Sequence, residues 1–456
     1  MAPILHFFVI SLSCSFLFVL SQDSQQSLYH NPRPRPPPIS PSKPNLLVLP
    51  IQQDASTGLH WANIHKRTPL VQVPLLLDLN GKHLWVTCSQ HYSSSTYQAP
   101  VCHSTQCSRA NTHQCFTCSD STTSRPGCHN NTCSLMSTNP ITQQIGLGEL
   151  AQDVLAIHST HGSNLGPMVR VPEFLFSCAP SFLVQKGLPN NIQGVVGLGH
   201  APISLPNQLS SHFGLKRQFT MCLSRYPTSN GAILFGDIYD PNNNNYMHNS
   251  LDVFHDMVYT PLTISHQGEY FMQISGIRVN KHTVVPINKN PSVLSSSSYH
   301  DDQGGEVWGA MITTTNPYTV LHHSLFEAVT QVITSYMPKQ SRVNAVGPFG
   351  LCFDSRKISA GAPSVDFVMD IKNNVVWRIS GENLMVQAKN GVSCLGFVDG
   401  GMHTRAGIAL GARQLEENMV VFDLAKSRVG FSSNSVKSRG KTCANLFDLN
   451  NPHQDP

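Results

Sequence analysis

Short apolar runs, each ended within a few residues by glycine, proline, asparagine or serine, recur along this chain from about residue 46 onward. Clear examples lie at residues 46–51, 70–77, 174–176, 232–235, 258–260 and 270–274. Runs of this length between turn-forming residues are typical of β-strands. Helical spacing is clearest at residues 325–333. With 31 Gly and 31 Pro in 456 residues, the pattern predicts an all-β protein of two mostly-β halves with few short helices.

The ends of the chain differ in composition from its body. Residues 1–21 are dominated by apolar side chains, which predicts a secretory signal peptide, although the stretch contains no Lys or Arg. A retained membrane anchor is the alternative, and no later apolar run approaches the roughly 20 residues that span a bilayer. Residues 22–44 are polar and then proline-rich, which predicts an extended leader without a core.

Composition also indicates where the body of the chain divides. We predict an N-terminal lobe over residues 45–240 and a C-terminal lobe over residues 258–443. The connection between them, residues 241–257, includes four consecutive asparagines at 242–245. Residues 444–456 are predicted to form a tail.

Cysteine usage agrees with secretion. Of 13 cysteines, only Cys14 lies in the predicted signal peptide. The remaining twelve are Cys88, Cys102, Cys107, Cys115, Cys118, Cys128, Cys133, Cys178, Cys222, Cys352, Cys394 and Cys443. Twelve is an even number and allows six disulfides in an oxidising compartment. Spacing alone leaves the pairing open, although the late Cys443 is placed to tie the tail back to the body.

Two further features bear on modification and binding. Cys115 and Cys118 have the spacing of zinc ligands, which is the alternative to disulfide bonding. The one N-x-Ser/Thr triplet begins at Asn130, a predicted glycosylation site.

The net charge of +4 is modest and no long Lys/Arg run occurs, so nucleic acid is excluded as an expected partner. No cofactor or metal is predicted.

Two sequence blocks end apolar runs with a small polar residue. In the first half, LLL at residues 75–77 leads into Asp78, then LNG and, at 84–86, LWV. In the second half, AMI at residues 310–312 leads into Thr313 and two further threonines. Each half also contains a glycine-flanked apolar block, GVVGLG at 194–199 and GIALG at 407–411. On local grounds alone, Asp78 before Asn-Gly is also compatible with a hairpin turn of type I′.

In this order, the blocks resemble the two active-site loops of pepsin-like aspartic peptidases and the segments that thread beneath them. The blocks RTPLV at 67–71, TTTNPYTVL at 313–321, FGLCF at 349–353 and CLGFVDGG at 394–401 narrow the resemblance to the basic 7S globulin group. That group includes extracellular dermal glycoproteins and plant inhibitors of microbial xyloglucanases and xylanases. The resemblance implies a bilobal pepsin-like double β-barrel fold, six disulfides, and a secreted, usually non-proteolytic protein.

The resemblance also identifies vestigial catalytic positions. Asp78 is retained, but Thr313 stands where the second aspartate belongs. Pepsin-like catalysis needs two carboxylates that share one proton, and a threonine hydroxyl does not titrate in the useful range. Leu79 replaces the threonine that braces the opposite loop, Asn80 replaces the loop glycine, and the expected flap at residues 137–142 has no tyrosine. We therefore predict loss of the dyad, the brace and the flap, and no peptidase activity.

The resemblance suggests inhibition of a microbial glycoside hydrolase instead, with a xyloglucan-specific endoglucanase first and a xylanase second. In the inhibitor members, loops of the C-terminal half enter the hydrolase cleft, where a planar guanidinium can pair with two catalytic carboxylates. The candidate partner-binding residues are Arg405, Arg342 and His403. The alternatives are an active aspartic endopeptidase with an altered dyad and a storage or small-peptide-binding globulin. The expected location is the extracellular space or cell wall.

Overall fold

The computed structural model describes residues 43–452 except for 89–91, 119–123, 162–163, 239–256, 288–298, 301–305, 308, 359–360, 371–373, 380, 433–439 and 447. The predicted signal peptide, nearly all of the leader and residues 241–256 of the predicted connection lie outside the described residues. The predicted lobe boundaries therefore stay a prediction. Within the described part, no helix is both long and apolar enough to cross a membrane.

Strands dominate the first half of the chain. They are β1 Leu46–Gln53, β2 His60–Lys66, β3 Val71–Asp78, β4 Trp85–Thr87, β5 Cys115–Phe116, β6 Thr132–Thr138, β7 Ile145–His161, β8 Asn164–Ala179, β9 Gly194–Gly197, β10 Gln218–Cys222 and β11 Gly231–Gly236. The described helices of this half are α1 Thr105–Arg109, α2 Leu205–Phe213 and a 3-10 turn at Ser181–Val184.

The second half is built in the same way. Its strands are β12 Met257–Ile264, β13 Tyr270–Met272, β14 Gly276–Val279, β15 Thr283–Pro286, β16 Tyr299–His300, β17 Glu306–Val307, β18 Ala310–Ile312, β19 Thr319–Leu321, β20 Arg342–Val343, β21 Cys352–Asp354, β22 Val365–Asp370, β23 Val375–Ile379, β24 Met385–Lys389, β25 Val392–Leu395, β26 Phe397–Asp399, β27 Ile408–Leu410, β28 Met419–Asp423, β29 Arg428–Ser432 and β30 Asp448–Pro452. Its described helices are α3 His323–Tyr336, α4 Gly381–Leu384, α5 Ala412–Leu415 and 3-10 turns at Lys339–Ser341 and Ser355–Lys357.

The all-β prediction is confirmed, and each of the six apolar runs named above contributes to a strand. The predicted helix at residues 325–333 lies inside α3, which buries Phe326, Val329 and Ile333. These residues recur at helical spacing and place one apolar stripe against the core.

A central antiparallel sheet joins strands from both halves in the order β1–β11–β10–β28–β29–β12. Strands β10, β11 and β28 are buried along their whole length, because they lie in the middle of this sheet and are covered on both faces. Phe219 of β10 and Phe422 of β28 stack with ring centroids 4.7 Å apart. Burial of these aromatic rings contributes hydrophobic free energy where the two halves meet.

Each half also contains the same pairing arrangement of four strands. In the first half, β3 runs parallel to β9, and β4 lies between β9 and β8. In the second half, β18 runs parallel to β27, and β19 lies between β27 and β26. Both glycine-flanked blocks, β9 and β27, therefore thread beside the strand that carries the candidate site residue. This pairing rules out a simple β3–β4 hairpin at Asp78.

Candidate functional site

Asp78 is the last residue of β3, and Thr313 directly follows β18. The parallel partner of Asp78 is Gly197 in β9. A Cβ at Gly197 would lie 2.5 Å from the carbonyl oxygen of Gly81, so only glycine lets the two backbones approach this closely. The glycine block thus fixes the path of the loop that follows Asp78.

The side chains of Asp78 and Thr313 accept the same kind of local hydrogen bond, each within its own loop. The amide of Asn80 donates to Oδ1 of Asp78 over 3.0 Å, and the amide of Thr315 donates to Oγ1 of Thr313 over 3.2 Å. In both loops the acceptor lies two residues before the donor. The hydroxyl of Thr313 also hydrogen-bonds that of Thr315 over 2.9 Å. Thr313 therefore occupies the position in its loop that Asp78 occupies in the other.

The prediction that the brace between the loops is lost is only partly right: Leu79 offers no hydroxyl to the opposite loop, but the hydroxyl of Thr314 still joins the two loops. Oγ1 of Thr314 donates to the carbonyl oxygen of Leu77 over 2.8 Å and accepts from the amide of Leu79 over 3.0 Å. Because a backbone amide supplies the donor, a leucine at position 79 does not break this contact. Thr314 is fully buried, so both hydrogen bonds lie away from solvent.

Asn80 provides a second connection between the two loops, although the sequence analysis noted it only as the replacement of a loop glycine. Its Nδ2 donates to the carbonyl oxygen of Ile312 over 2.9 Å, and its Oδ1 accepts from the amide of Tyr270 over 3.1 Å. Both partners belong to the second half of the chain. The amide side chain thus joins the two loops through groups that a glycine lacks.

Both loops open into a cavity of about 460 Å³. The lining residues are Asp78, Asn80, Gly81, Lys82, His83, Trp85, Met136, Thr138, Pro140, Gln143, Ile145, Val195, Gln267, Glu269, Met311, Thr313, Thr315 and Arg405. Its volume lies in the usual range of small-molecule sites. We call this cavity the cleft.

The carboxyl group of Asp78 is buried. Burial raises the pKa of Asp78 to about 6, because the ionised form loses its solvation. The amide of Asn80 opposes this rise, and the negative charge of Glu269 adds to it. A lone carboxyl group in this setting takes up a proton well above the pH at which an exposed aspartate does.

Glu269 is a cleft residue that sequence reasoning missed. Its side chain is only 6% exposed and forms an ion pair with the guanidinium of Arg405. Its other oxygen, Oε2, accepts from the hydroxyl of Ser265 over 3.1 Å. Glu269 and Arg405 are 136 positions apart in the sequence, which explains why no local pattern indicated the pair.

The hairpin of β6 and β7 forms one side of the cleft. Its turn is held by Asn139, whose Nδ2 donates to the carbonyl oxygens of Leu183 and Lys186. The indole of Trp85 donates to the carbonyl oxygen of Thr138 over 3.2 Å. In the described structure residues 137–142 carry no tyrosine to cover the cleft, and two apolar side chains of the hairpin, Met136 and Ile145, are more than half exposed.

The predicted partner-binding residues lie in two places. His403 and Arg405 share the loop after β26, and Arg405 reaches into the cleft. Arg342 lies on β20, in a separate sheet with β21, β25 and β24, and does not line the cleft. Arg342 and His403 are exposed. Their role in binding a partner stays a prediction.

Two histidines at the start of α3 hold the loop that carries His403. Nδ1 of His323 lies 2.7 Å from Oδ2 of Asp399, and its backbone amide donates to the carbonyl oxygen of Gly401. Nε2 of His322 lies 3.2 Å from the carbonyl oxygen of Met402. The hydrogen bond to Asp399 raises the pKa of His323, since the protonated ring is the better donor to a carboxylate. The adjacent His-His in the sequence was the only signal for this contact.

All twelve predicted cysteines are paired, so the prediction of six disulfides is confirmed. The pairs are Cys88–Cys178, Cys102–Cys115, Cys107–Cys133, Cys118–Cys128, Cys222–Cys443 and Cys352–Cys394. Cys443 ties the C-terminal segment to β10, as expected.

The zinc alternative does not fit the described cysteines. Cys115 and Cys118 belong to different disulfides. Cys102, His103 and Cys115 bring their ligand atoms within 4.8 Å of one another, but the two sulfurs are bonded to each other and are not thiolates. Asn130 is exposed, and its glycosylation stays a prediction.

The doubled strand arrangement, the central sheet and the cleft between two equivalent loops define a pepsin-like protein. An aspartic proteinase from Irpex lacteus aligns with a TM-score of 0.57 at 13% identity, covering 86% of this chain and 98% of that structure, which supports the fold alone.

Closer relatives identify the family. A family model described as xylanase inhibitor N-terminal matches residues 61–237, and one described as xylanase inhibitor C-terminal matches residues 269–433. Gamma conglutin 1 of Lupinus albus is 78% identical over 456 residues, which covers 99% of each chain. The crystal structure of conglutin gamma, a unique basic 7S globulin from lupine seeds, aligns with a TM-score of 0.83 at 77% identity, over 90% of this chain and 100% of that structure. The chain therefore belongs to the family of basic 7S globulins and xylanase-inhibitor-like proteins, and the sequence-based resemblance is confirmed.

Proposed function

We propose that this chain is a secreted, proteolytically silent pepsin-like protein that binds and inhibits a microbial cell-wall glycoside hydrolase, a xyloglucan-specific endoglucanase first and a xylanase second. The observation that carries the loss of peptidase activity is the pair of equivalent loops, in which Asp78 faces a loop with Thr313 at the matching position. One carboxyl group cannot serve as base and acid for the same water-mediated step.

The family descriptions support the hydrolase as the partner class, since both matching models describe xylanase inhibitors. Glycoside hydrolases use two carboxyl groups that flank the scissile bond. A guanidinium or an imidazolium inserted between such groups gains charge-assisted hydrogen bonds. The six disulfides fit an oxidising extracellular environment.

The structure changes the ranking of the three residues that we expect to contact a hydrolase. Arg405 already pairs with Glu269 inside the chain, so contact with a hydrolase would require that pair to separate. Arg342 and His403 are exposed, and no ion pair with another described residue competes for either side chain. We therefore rank Arg342 and His403 above Arg405 as residues that enter the hydrolase cleft.

The test is inhibition of purified fungal xyloglucanases and xylanases, measured as release of reducing sugar. We expect an inhibition constant in the micromolar range or below for at least one enzyme. Arg342→Ala or His403→Ala should raise that constant, because the binding free energy is weakened by about 1–3 kcal/mol if the lost contact is buried in the complex. Arg170→Ala is the matched control, because Arg170 is exposed on β8. Full hydrolase activity across the panel at micromolar excess would contradict the proposal.

One observation favours a second candidate, an active aspartic endopeptidase with an altered dyad. Glu269 lines the same cleft as Asp78 and contributes to its raised pKa. However, Arg405 and Ser265 occupy both oxygens of Glu269, which leaves it poorly placed to share a proton. Cleavage of denatured globin at acidic pH that is lost in both Asp78→Asn and Glu269→Gln would support this candidate.

A further inference from the structure

A second cavity, of about 470 Å³, adjoins the cleft and is not used by the proposed function. The two cavities share Lys82, His83, Met136 and Gln267. The second cavity is formed by the loop after α1, strand β6 and the loops around residues 200 and 266. We call it the histidine pocket, after the four imidazoles that line it: His83, His113, His200 and His266.

The lining of the histidine pocket is one-sided in charge. It contains one lysine and four histidines, and its described lining includes no Asp or Glu. Nζ of Lys82 donates to the side-chain amide oxygen of Gln267, and no described carboxylate forms an ion pair with it. The ammonium group of Lys82 therefore carries a positive charge that no described carboxylate neutralises and that a bound anion can neutralise.

Two of the four imidazoles have buried ring atoms: one ring nitrogen of His200 lacks a hydrogen-bond partner, and His83 is shielded from solvent. Nδ1 of His200 is buried without a hydrogen-bond partner among the described residues. Burial lowers the pKa of His200, and the nearby positive charge of Arg217 lowers it further. His83 is buried, and burial together with Lys82 lowers its pKa to about 4. The surroundings of the pocket thus disfavour added positive charge until an anion enters.

The remaining walls limit the kind of anion. Leu135, Met136, Leu147 and Ile203 give apolar surface, and Met136 and Leu147 are exposed. The described lining includes no Phe, Tyr or Trp, so the pocket offers no platform on which a neutral sugar ring or a nucleobase could stack. An aliphatic skeleton that carries several carboxylates fits both the apolar walls and the positive charge.

We propose that the histidine pocket binds organic polycarboxylates, with Lys82 and the imidazoles as hydrogen-bond donors to the carboxylates. A pocket of this volume accommodates a compact tricarboxylate together with ordered water. The site differs from the cleft around Asp78 and does not depend on hydrolase inhibition.

Isothermal titration calorimetry on the full secreted chain tests the proposal, with tricarballylate as the probe and glycerol as its uncharged analogue. We expect saturable binding of tricarballylate and none of glycerol. Lys82→Met/His113→Gln should weaken binding at least about tenfold, which is the loss of roughly one charge-assisted hydrogen bond. The matched control is Lys281→Met/His282→Gln, which changes an exposed Lys and His in the turn before β15 and should bind as the parent does.

A second arm varies the anion. Absence of binding at 10 mM tricarballylate, equal weakening in the control variant, or equally tight binding of inorganic phosphate would each overturn the proposal. Should the double variant fail to fold, Lys82→Met alone carries the comparison.

Discussion

Arg405 and Glu269 form an ion pair inside the cleft, although the sequence marks Arg405 as a residue that contacts a partner. Glu269 is almost completely buried, whereas about half of the Arg405 side chain is exposed. The arginine therefore has a structural role before any partner is present.

Replacing Arg405 should destabilise the chain through the carboxylate that it leaves behind. Arg405→Ala is expected to lower the free energy of unfolding by about 1–3 kcal/mol, because Glu269 loses its charged partner while it stays buried. Arg405→Ala/Glu269→Gln should recover much of that loss, since a neutral amide costs less to bury. Chemical denaturation of the two single variants and the double variant measures the coupling. If the changes in unfolding free energy of Arg405→Ala and Glu269→Gln simply add in the double variant, the ion pair does not contribute to stability.

Thr314 should contribute to stability through the two hydrogen bonds that it makes to the opposite loop. Thr314→Val keeps the shape but removes the hydrogen bonds to Leu77 and Leu79, at a cost of about 1–3 kcal/mol. Thr263→Val, on the exposed side of β12, is the matched control and should change stability by less than about 0.5 kcal/mol. Equal melting temperatures for both variants would show that the hydrogen bonds of Thr314 do not contribute to stability.

Asp78 should make the protein less stable as the pH rises. Its folded pKa of about 6 lies above the ordinary value of 3.8. Its favourable contribution is therefore complete below about pH 3.8 and is lost as the pH rises through about 6. Asp78→Asn should be more stable than the parent at pH 7, by about 2–3 kcal/mol, and similar at pH 3.5. Thermal unfolding at both pH values checks this, and a variant that is equally destabilised at both would argue against a buried charge.

Lys66 is the clearest buried cation outside the cleft. Its Nζ lies 3.4 Å from the ring centroid of Phe176 and has no hydrogen-bond partner among the described residues. Burial lowers its pKa from 10.5 to about 7, although Asp153 opposes the shift.

The stability contribution of Lys66 is therefore present above about pH 10.5 and is lost as the pH falls through about 7. Lys66→Met should stabilise the chain at pH 6 by about 5 kcal/mol, less whatever the cation–π contact supplies. Lys389→Met, at an exposed position of β24, should have little effect. The measurement is the unfolding midpoint in urea at pH 6, and a destabilised Lys66→Met would mean that the cation–π contact outweighs desolvation.

The loop that carries His403 should loosen at alkaline pH. The raised pKa of His323 means that its bond to Asp399 contributes fully below the ordinary value of 6.5 and is lost as the pH rises through the folded pKa. Amide hydrogen exchange of residues 400–405, corrected for intrinsic rates, should be faster at pH 8 than at pH 5.5. His323→Ala should remove this difference, whereas His282→Ala should keep it.

Much of the architecture could be predicted from local patterns. The apolar runs marked the strands, and the glycine-flanked blocks marked β9 and β27, because glycine is required where backbones approach closely. The positions of Asp78 and Thr313 at strand ends followed from the same blocks. The even number of cysteines predicted six disulfides but not their pairing, which depends on which strands are neighbours.

The brace shows where such patterns mislead. Reading position 79 as a lost hydroxyl assumed that only a side chain could complete the contact. In the structure, the backbone of Leu77 and Leu79 supplies the groups, and Thr314 from the other half supplies the hydroxyl. Asn80, which was expected only as the loss of a loop glycine, adds hydrogen bonds to the second half of the chain.

The sequence by itself determined the class of fold, the doubled arrangement of the halves and the absence of a second aspartate at Thr313, because these depend on residue type and periodicity. Only the tertiary structure decided that Arg405 pairs with Glu269, that the brace survives, and that Lys82 faces a pocket of imidazoles. Those contacts join residues far apart in the chain, and their energies depend on burial and distance, which no local pattern contains.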